Sequence, residues 1–134
     1  MSGPGQRRAP DAAEFEALAL AALARLPAAF RAQIGDVVVQ IAEFPDEEQL
    51  ASVGLNEPFE LTGLYSGVPL GEKSAFDVPM QPDMIHLFRQ PLLAEWCETG
   101  VDLAELINHV VVHEVGHHFG LSDDDMHALE DESE

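Results

Sequence analysis

The segment from Asp102 to Gly120 constrains the fold more than any other, because its first half repeats apolar residues at helical spacing. These apolar residues are Leu103, Leu106, Ile107, Val110 and Val111. Asp102 is suited to cap the start of a helix, with Glu105 at the reciprocal position of a capping box, and Gly120 is suited to end it. The pattern predicts one long helix whose apolar side must be covered by the rest of the chain.

The second half of this predicted helix carries the chemically active side chains. His113 and His117 are four residues apart and therefore project from one face of a helix, one turn apart. Two imidazoles so placed can hold one metal ion, and zinc prefers nitrogen and carboxylate ligands. Glu114 lies next to the first histidine, where it can act as a general base toward a water molecule without being a ligand itself. The motif predicts a site for one zinc ion.

A third ligand is predicted just beyond the helix. Gly120 follows His117 by three residues and can turn the chain back, which would bring Asp123 to the metal. The full pattern His-Glu-x-x-His-x-x-Gly-x-x-Asp is far more specific than its first five positions alone. Two alternatives stay open, since Asp123 can instead cap a last helix, and Asp124 or His127 can compete for the metal.

Four further side chains are weaker candidates for a functional role. His109 lies one turn before His113 and is expected either to support the site or to have a structural role. His118 lies about 140° around the helix from His113, off the metal face, and is expected to be packed or hydrogen-bonded. Tyr65 and His127 are candidates to stabilise an oxyanion, with packing or capping as the alternative.

The rest of the chain alternates between helices and short strands. The predicted helices are Asp11–Arg25 with Asp11 as N-cap, Ala28–Ile34 ending at Gly35, Asp46–Val53, and Pro91–Thr99, which places Trp96 and Cys97 in the core. The predicted strands are the buried Val37–Phe44, then Leu61–Ser66 and Met84–Arg89. The Gly- and Pro-rich loop 67–83 can add a hairpin arm at 76–80. We therefore expect an α/β (α+β) fold in which a small sheet packs on helices.

Length and composition indicate a globular chain. With 134 residues, of which 46% are hydrophobic and 23% charged, the sequence fits one domain over residues 11–134 that follows a flexible tail over residues 1–10. The single cysteine, Cys97, excludes an intrachain disulfide and indicates a reducing compartment. The apolar run Ala17–Ala24 is flanked by charged residues and is expected to be part of a helix instead of a secretion signal.

The charge balance limits the classes of partner. The chain has 25 acidic and 6 basic residues, which gives a formal net charge of −19. This charge repels nucleic acid phosphates and anionic lipid headgroups, so we expect neither nucleic acid nor membrane as a partner. No apolar stretch approaches the roughly 20 residues that a membrane-spanning helix needs. The chain is expected to be soluble and cytoplasmic.

Three stretches of this sequence together resemble a known family. The motif over residues 113–123 resembles the metzincin zinc signature, with Asp123 where most metzincins have a third histidine. The stretches Gly63–Leu70 and Asp83–Arg89 are similar to the small bacterial zincin-like metallopeptidases called minimal zincins. The resemblance spans about Asp11 to Leu129, which is nearly the whole predicted domain.

This resemblance implies a zincin-like fold, in which a twisted mixed sheet packs on helices and the active-site helix lies near the C-terminus. It implies one zinc ion on His113, His117 and Asp123, with Glu114 as the catalytic base. We therefore expect a zinc metallopeptidase that hydrolyses peptide bonds through zinc-activated water. Its activity is expected to be weak or cryptic, because the methionine turn that metzincins carry beyond the third ligand is missing or reduced here.

The substrate is expected to be a peptide or protein that the sequence does not identify further. An extended peptide is expected to pair with an edge of the sheet, along either Leu61–Ser66 or Met84–Arg89. The small size and the acidity also allow an alternative, a non-catalytic zinc-stabilised protein-binding module. A site closed by four protein ligands, in which zinc only joins the helix to the tail, is a further alternative.

Overall fold

Helices and strands follow one another along the chain as a mixed α+β fold. The computed structural model describes residues 9–34, 36–67, 83–120 and Asp124. The helices are α1 (Ala12–Ala24), α2 (Ala28–Ile34), α3 (Glu47–Ser52), α4 (Arg89–Thr99) and α5 (Leu103–Phe119), with a short 3₁₀ helix at Pro58–Glu60. The strands are β1 (Val38–Ala42), β2 (Gly63–Ser66) and β3 (Met84–Phe88). The predicted fold class is confirmed.

The three strands form one mixed sheet in the order β1-β3-β2. β1 pairs with β3 in parallel, and β2 pairs with β3 in antiparallel orientation. The central position of β3 explains why Ile85, Leu87 and Phe88 are fully buried. Within the described part of the chain, β1 and β2 each have a neighbouring strand on one side only. Two segments were candidates for the sheet edge that pairs with a peptide. Among the described strands, Leu61–Ser66 contains the edge strand β2, whereas Met84–Arg89 contains the central strand β3.

The main core lies between α1, α5 and one face of the sheet. Phe15, Ala19 and Ala22 of α1 are fully buried at helical spacing, as the sequence predicts. They pack in one cluster with the buried residues of α5, which are Leu106, Ile107, Val110, Val111, Val112 and Val115. Because the alanines of α1 are small, the two helices can approach closely, and α5 is held rigidly along its length.

The predicted helix ends are confirmed by their hydrogen bonds. Asp11 accepts the N–H of Glu14 at 2.9 Å, and Asp102 accepts the N–H of Glu105 at 3.3 Å. Gly120 ends α5 in the left-handed conformation, with φ of 72°. The position and the direction of the site-bearing helix therefore follow from local sequence signals.

The prediction for the strand at Val37–Phe44 is wrong in part, whereas the prediction that Pro91 lies in the first turn of a helix is confirmed. The segment Val37–Phe44 does not form a fully buried strand, since β1 is shorter and Val38 is 42% exposed. The physical reason is that β1 is an edge strand, with only alternate residues against the core. α4 begins at Arg89 and places Pro91 at its third position, where a missing N–H still costs no intrahelical bond.

The prediction that Cys97 lies in the core is also wrong, because this residue is exposed. Its neighbour Trp96 packs against the core, one turn after the buried Leu92. Cys97 lies about 100° farther around the helix, which turns it toward solvent.

Several predictions fall outside the described residues. They concern most of the tail (residues 1–8), the helix end at Gly35, the arm at 76–80, the ligand Asp123 and the candidate His127. No helix in the described ranges is long and apolar enough to cross a membrane.

Candidate active site

The two histidines of the motif lie side by side on α5. Their ring centroids are 6.5 Å apart and the ring planes are nearly perpendicular. Nε2 of His113 is shielded from solvent, whereas the side chain of His117 is 62% exposed. The ring of His109 lies 4.0 Å from the ring of His113, so the predicted stripe of three histidines is present. The pair is thus closed on the side of His113 and accessible on the side of His117.

Glu114 reaches away from α5 toward the sheet. Its Oε1 accepts the backbone N–H of Tyr65 at 3.1 Å, and its Oε2 lies 3.8 Å from Nδ1 of His117. The side chain is only 17% exposed. This burial raises the pKa of Glu114 above its usual value, against the opposing effects of His117 and of the Tyr65 N–H. A carboxylate in this setting is a stronger base than one in water.

The hydrogen bond from the Tyr65 N–H to Glu114 shows which edge of β2 lies next to the carboxylate. Thr62 accepts the N–H of Phe88 across the β2–β3 ladder at 3.0 Å. Because backbone groups alternate in direction along an antiparallel strand, Gly63 and Tyr65 direct theirs away from β3. The edge of β2 that faces away from β3, called here its open edge because no described strand pairs with it, therefore runs past the Glu114 carboxylate.

β2 comes this close to the helix because of a glycine. A Cβ atom added at Gly63 would lie 2.7 Å from Cγ1 of Val110 on α5, a distance too short for real contacts. Any other residue at this position would push the strand away from the helix. Gly63 thus permits the approach on which the Tyr65–Glu114 hydrogen bond depends.

The side chain of Tyr65 makes a second set of polar contacts, separate from the bond between its backbone N–H and Glu114. The hydroxyl of Tyr65 donates to Oδ2 of Asp83 at 2.9 Å, and Nε2 of His118 lies 3.7 Å from the same oxygen. The rings of Tyr65 and His118 are stacked, with centroids 4.2 Å apart and an interplanar angle of 20°. Burial and the bond to Asp83 both raise the pKa of Tyr65, so its hydroxyl keeps its proton. The prediction that His118 is packed is confirmed.

Sequence reasoning gave no role to Asp83. It directly precedes β3, and no local sequence pattern distinguishes it. A structural signal does exist in Gly67, where an added Cβ would collide with the Asp83 carboxyl group. Gly67 and Asp83 thus lie close together beside Tyr65.

The residues fit zinc in type and spacing. Two histidines one turn apart on a rigid helix, with an adjacent carboxylate that is not needed as a ligand, are the donor set that catalytic zinc uses. No group of three metal-ligating side chains is present in residues 9–34, 36–67, 83–120 and Asp124. The third predicted ligand, Asp123, lies outside these ranges, and Asp124 is exposed. The described residues therefore include two of the three predicted zinc ligands, His113 and His117, and the predicted base, Glu114.

Comparison with known proteins identifies a family. A family model described as zincin-like metallopeptidase matches residues 34–133. The matched range contains the whole sheet, α5 with its histidine motif, and the segment that follows. No curated protein matches the chain.

Proposed function

Because the chain belongs to the zincin-like metallopeptidase family, we propose that it hydrolyses peptide bonds with zinc as cofactor and Glu114 as general base. The observation that carries this proposal is the position of Glu114. It is a buried carboxylate on the motif helix, one residue from His113, and it lies at the open edge of β2. A base at that place can act on a peptide bond laid along the strand.

His113, His117 and Asp123 are the residues that would hold one zinc ion. When bound, zinc supplies Lewis acidity, which lowers the pKa of water toward neutrality and polarises a carbonyl oxygen. The exposed face of His117 gives the access that an open coordination position requires.

Glu114 would move the proton in two steps. Its Oε1 is engaged by the N–H of Tyr65, so Oε2, on the side of His117, takes up the proton as water attacks the carbonyl carbon. The same oxygen then gives that proton to the amide nitrogen as the C–N bond breaks. The products are a carboxylic acid and an amine, which become a carboxylate and an ammonium ion when the second proton of the water passes from one to the other. Glu114 returns to its initial state.

An extended peptide would bind as an added strand on the edge of β2. Gly63 and Tyr65 direct backbone groups outward there, and Glu114 lies beside them. Main-chain hydrogen bonds of this kind give affinity without strong sequence preference. The peptide would have to share the Tyr65 position with Glu114, which places its scissile carbonyl next to the base.

The test compares cleavage of a mixed peptide library by zinc-loaded parent and Glu114→Gln protein. The variant is expected to keep zinc and to lose about 10²–10⁴-fold in turnover, because it cannot accept a proton. Glu105→Gln is the matched control, the same chemical change on the same helix at an exposed position. Undiminished turnover in Glu114→Gln would contradict the mechanism. Zinc-loaded parent without any cleavage would favour the non-catalytic binding module.

A further inference from the structure

We propose that Tyr65, Asp83 and His118 form a positioning cluster that fixes the backbone N–H of Tyr65 against Glu114. The positioning cluster is the buried group behind β2, formed by three side chains from β2, from the residue before β3, and from α5. Tyr65 borders the expected path of a substrate only through its backbone, and its side chain contacts Asp83 and His118. The action of the cluster on the reaction passes through Glu114.

Tyr65 is held at three points. Its backbone N–H donates to Glu114, its hydroxyl donates to Asp83, and its ring stacks on His118. Glu114 and His118 are four residues apart on α5, so two of the three points lie on one helix, one turn apart. Tyr65 therefore joins the strand to the helix at two successive turns.

Pairing with β3 alone cannot fix the position of the Tyr65 N–H. Gly63 and Tyr65 direct their backbone groups away from β3, so the ladder bonds made by their neighbours leave the Tyr65 amide on the open side. An edge strand is also the part of a sheet that opens most readily. The side-chain hold on Asp83 and His118 supplies the restraint that the ladder lacks.

The cluster is also polar although it is buried. The side chains of His118 and Asp83 are 2% and 11% exposed, and both are costly to bury. Buried polar contacts define one geometry more narrowly than apolar packing does. A narrowly defined position of Tyr65 is useful here because its N–H fixes the position of Oε1 of Glu114. The position of Oε1 in turn fixes the orientation of Oε2.

This inference rests on the proposed function only where it treats Glu114 as the base. The hydrogen bond itself can be measured without any substrate. Among the described residues, the acceptor of the Tyr65 N–H is Glu114, so amide hydrogen exchange at Tyr65 reports on this one bond. The exchange of the Val111 amide, in the buried middle of α5, reports on the stability of the whole fold.

The experiment measures protection factors in the parent and in four variants of the full chain. Glu114→Ala removes the acceptor and defines the full loss of protection at Tyr65. Tyr65→Phe keeps the ring on His118 but removes the hydroxyl, and Asp83→Ala removes its partner. Both are expected to lower protection of the residue 65 amide by about threefold to tenfold relative to Val111. Asp83→Asn keeps an acceptor for the hydroxyl and is expected to restore most of that protection.

Two results would overturn the proposal. One is an unchanged protection factor at residue 65 in both Tyr65→Phe and Asp83→Ala. The other is an equal loss at residue 65 and Val111, which would make the cluster a general stabiliser of the fold. If the chain cleaves peptides, Tyr65→Phe should lower kcat with KM and zinc content unchanged. Absence of cleavage would count against the proposed function alone, because the exchange results decide the positioning role separately.

Discussion

The contacts that α5 makes with α1 differ in kind from the contact that it makes with β2. Toward α1 the helix packs apolar side chains such as Ile107 and Val111 against Phe15 and the alanines of α1. Toward β2 it places Glu114 in a hydrogen bond to the strand. The apolar side needs only matching volume, whereas the polar side needs each donor opposite its acceptor. Stability and chemistry therefore depend on different neighbours of one helix, with apolar packing against α1 for the first and a hydrogen bond to β2 for the second.

The largest expected effect on stability comes from the apolar side. Ile107 is fully buried between α1 and the sheet, and Ile107→Ala should lower the free energy of unfolding by about 2–5 kcal/mol because it leaves a cavity. Urea denaturation measures this loss. His117→Ala is the comparison on the exposed side, expected to stay within about 0.5 kcal/mol of the metal-free parent. Equal losses of stability in the two variants would show that the exposed motif contributes as much to the stability of the fold as the apolar packing does.

A smaller effect is expected where β2 meets α5. Gly63→Ala forces a Cβ against Val110, and such overpacking should cost about 1–3 kcal/mol. Adding Val110→Ala in the same chain removes the clashing methyl group, so the double variant should lose less than the sum of the two single losses. Additive losses in the urea midpoints would mean that the close approach of strand and helix is not limited by this contact.

The smallest effect is a pH dependence of stability that comes from Glu114. Burial raises its pKa in the folded state above the usual 4.5, so the folded state holds this proton more tightly than the unfolded state. Its contribution is fully present below about pH 4.5 and is lost as the pH rises through the folded-state value. With a chelator present, the metal-free parent should therefore lose stability relative to Glu114→Gln as the pH rises from about 4.5. A difference that grows in the opposite direction would contradict the buried position of this carboxylate.

The sequence predicted best what depends on neighbours along the chain. The caps of α1 and α5, the apolar spacing of both helices and the adjacency of His113 and His117 are local features, and all are confirmed. The alternation of short strands with helices also indicated the α+β fold class, whereas the mixed sheet was expected from the resemblance to zincin-like proteins. Local patterns were sufficient here because helix geometry fixes which residues lie together.

The features that the sequence could not predict depend on contacts across the chain. The bond from Tyr65 to Glu114 joins residues 49 positions apart, and nothing near either residue indicates it. The role of Asp83 requires that it lie next to Gly67 and Tyr65, which the pairing of β2 with β3 determines. The exposure of Val38 was missed for the same reason, since a β-branched run does not show whether its strand is central or at an edge.

The most direct test of the account is a calorimetric titration of zinc into the metal-free chain at neutral pH. The account predicts about one tight site per chain in the parent, lost in His113→Ala and in His117→Ala. His86→Ala, a histidine on β3 outside the motif, should bind as the parent does. Equally weak binding at several sites in all four proteins would contradict the account, because it would mean that the acidic surface alone attracts the ion.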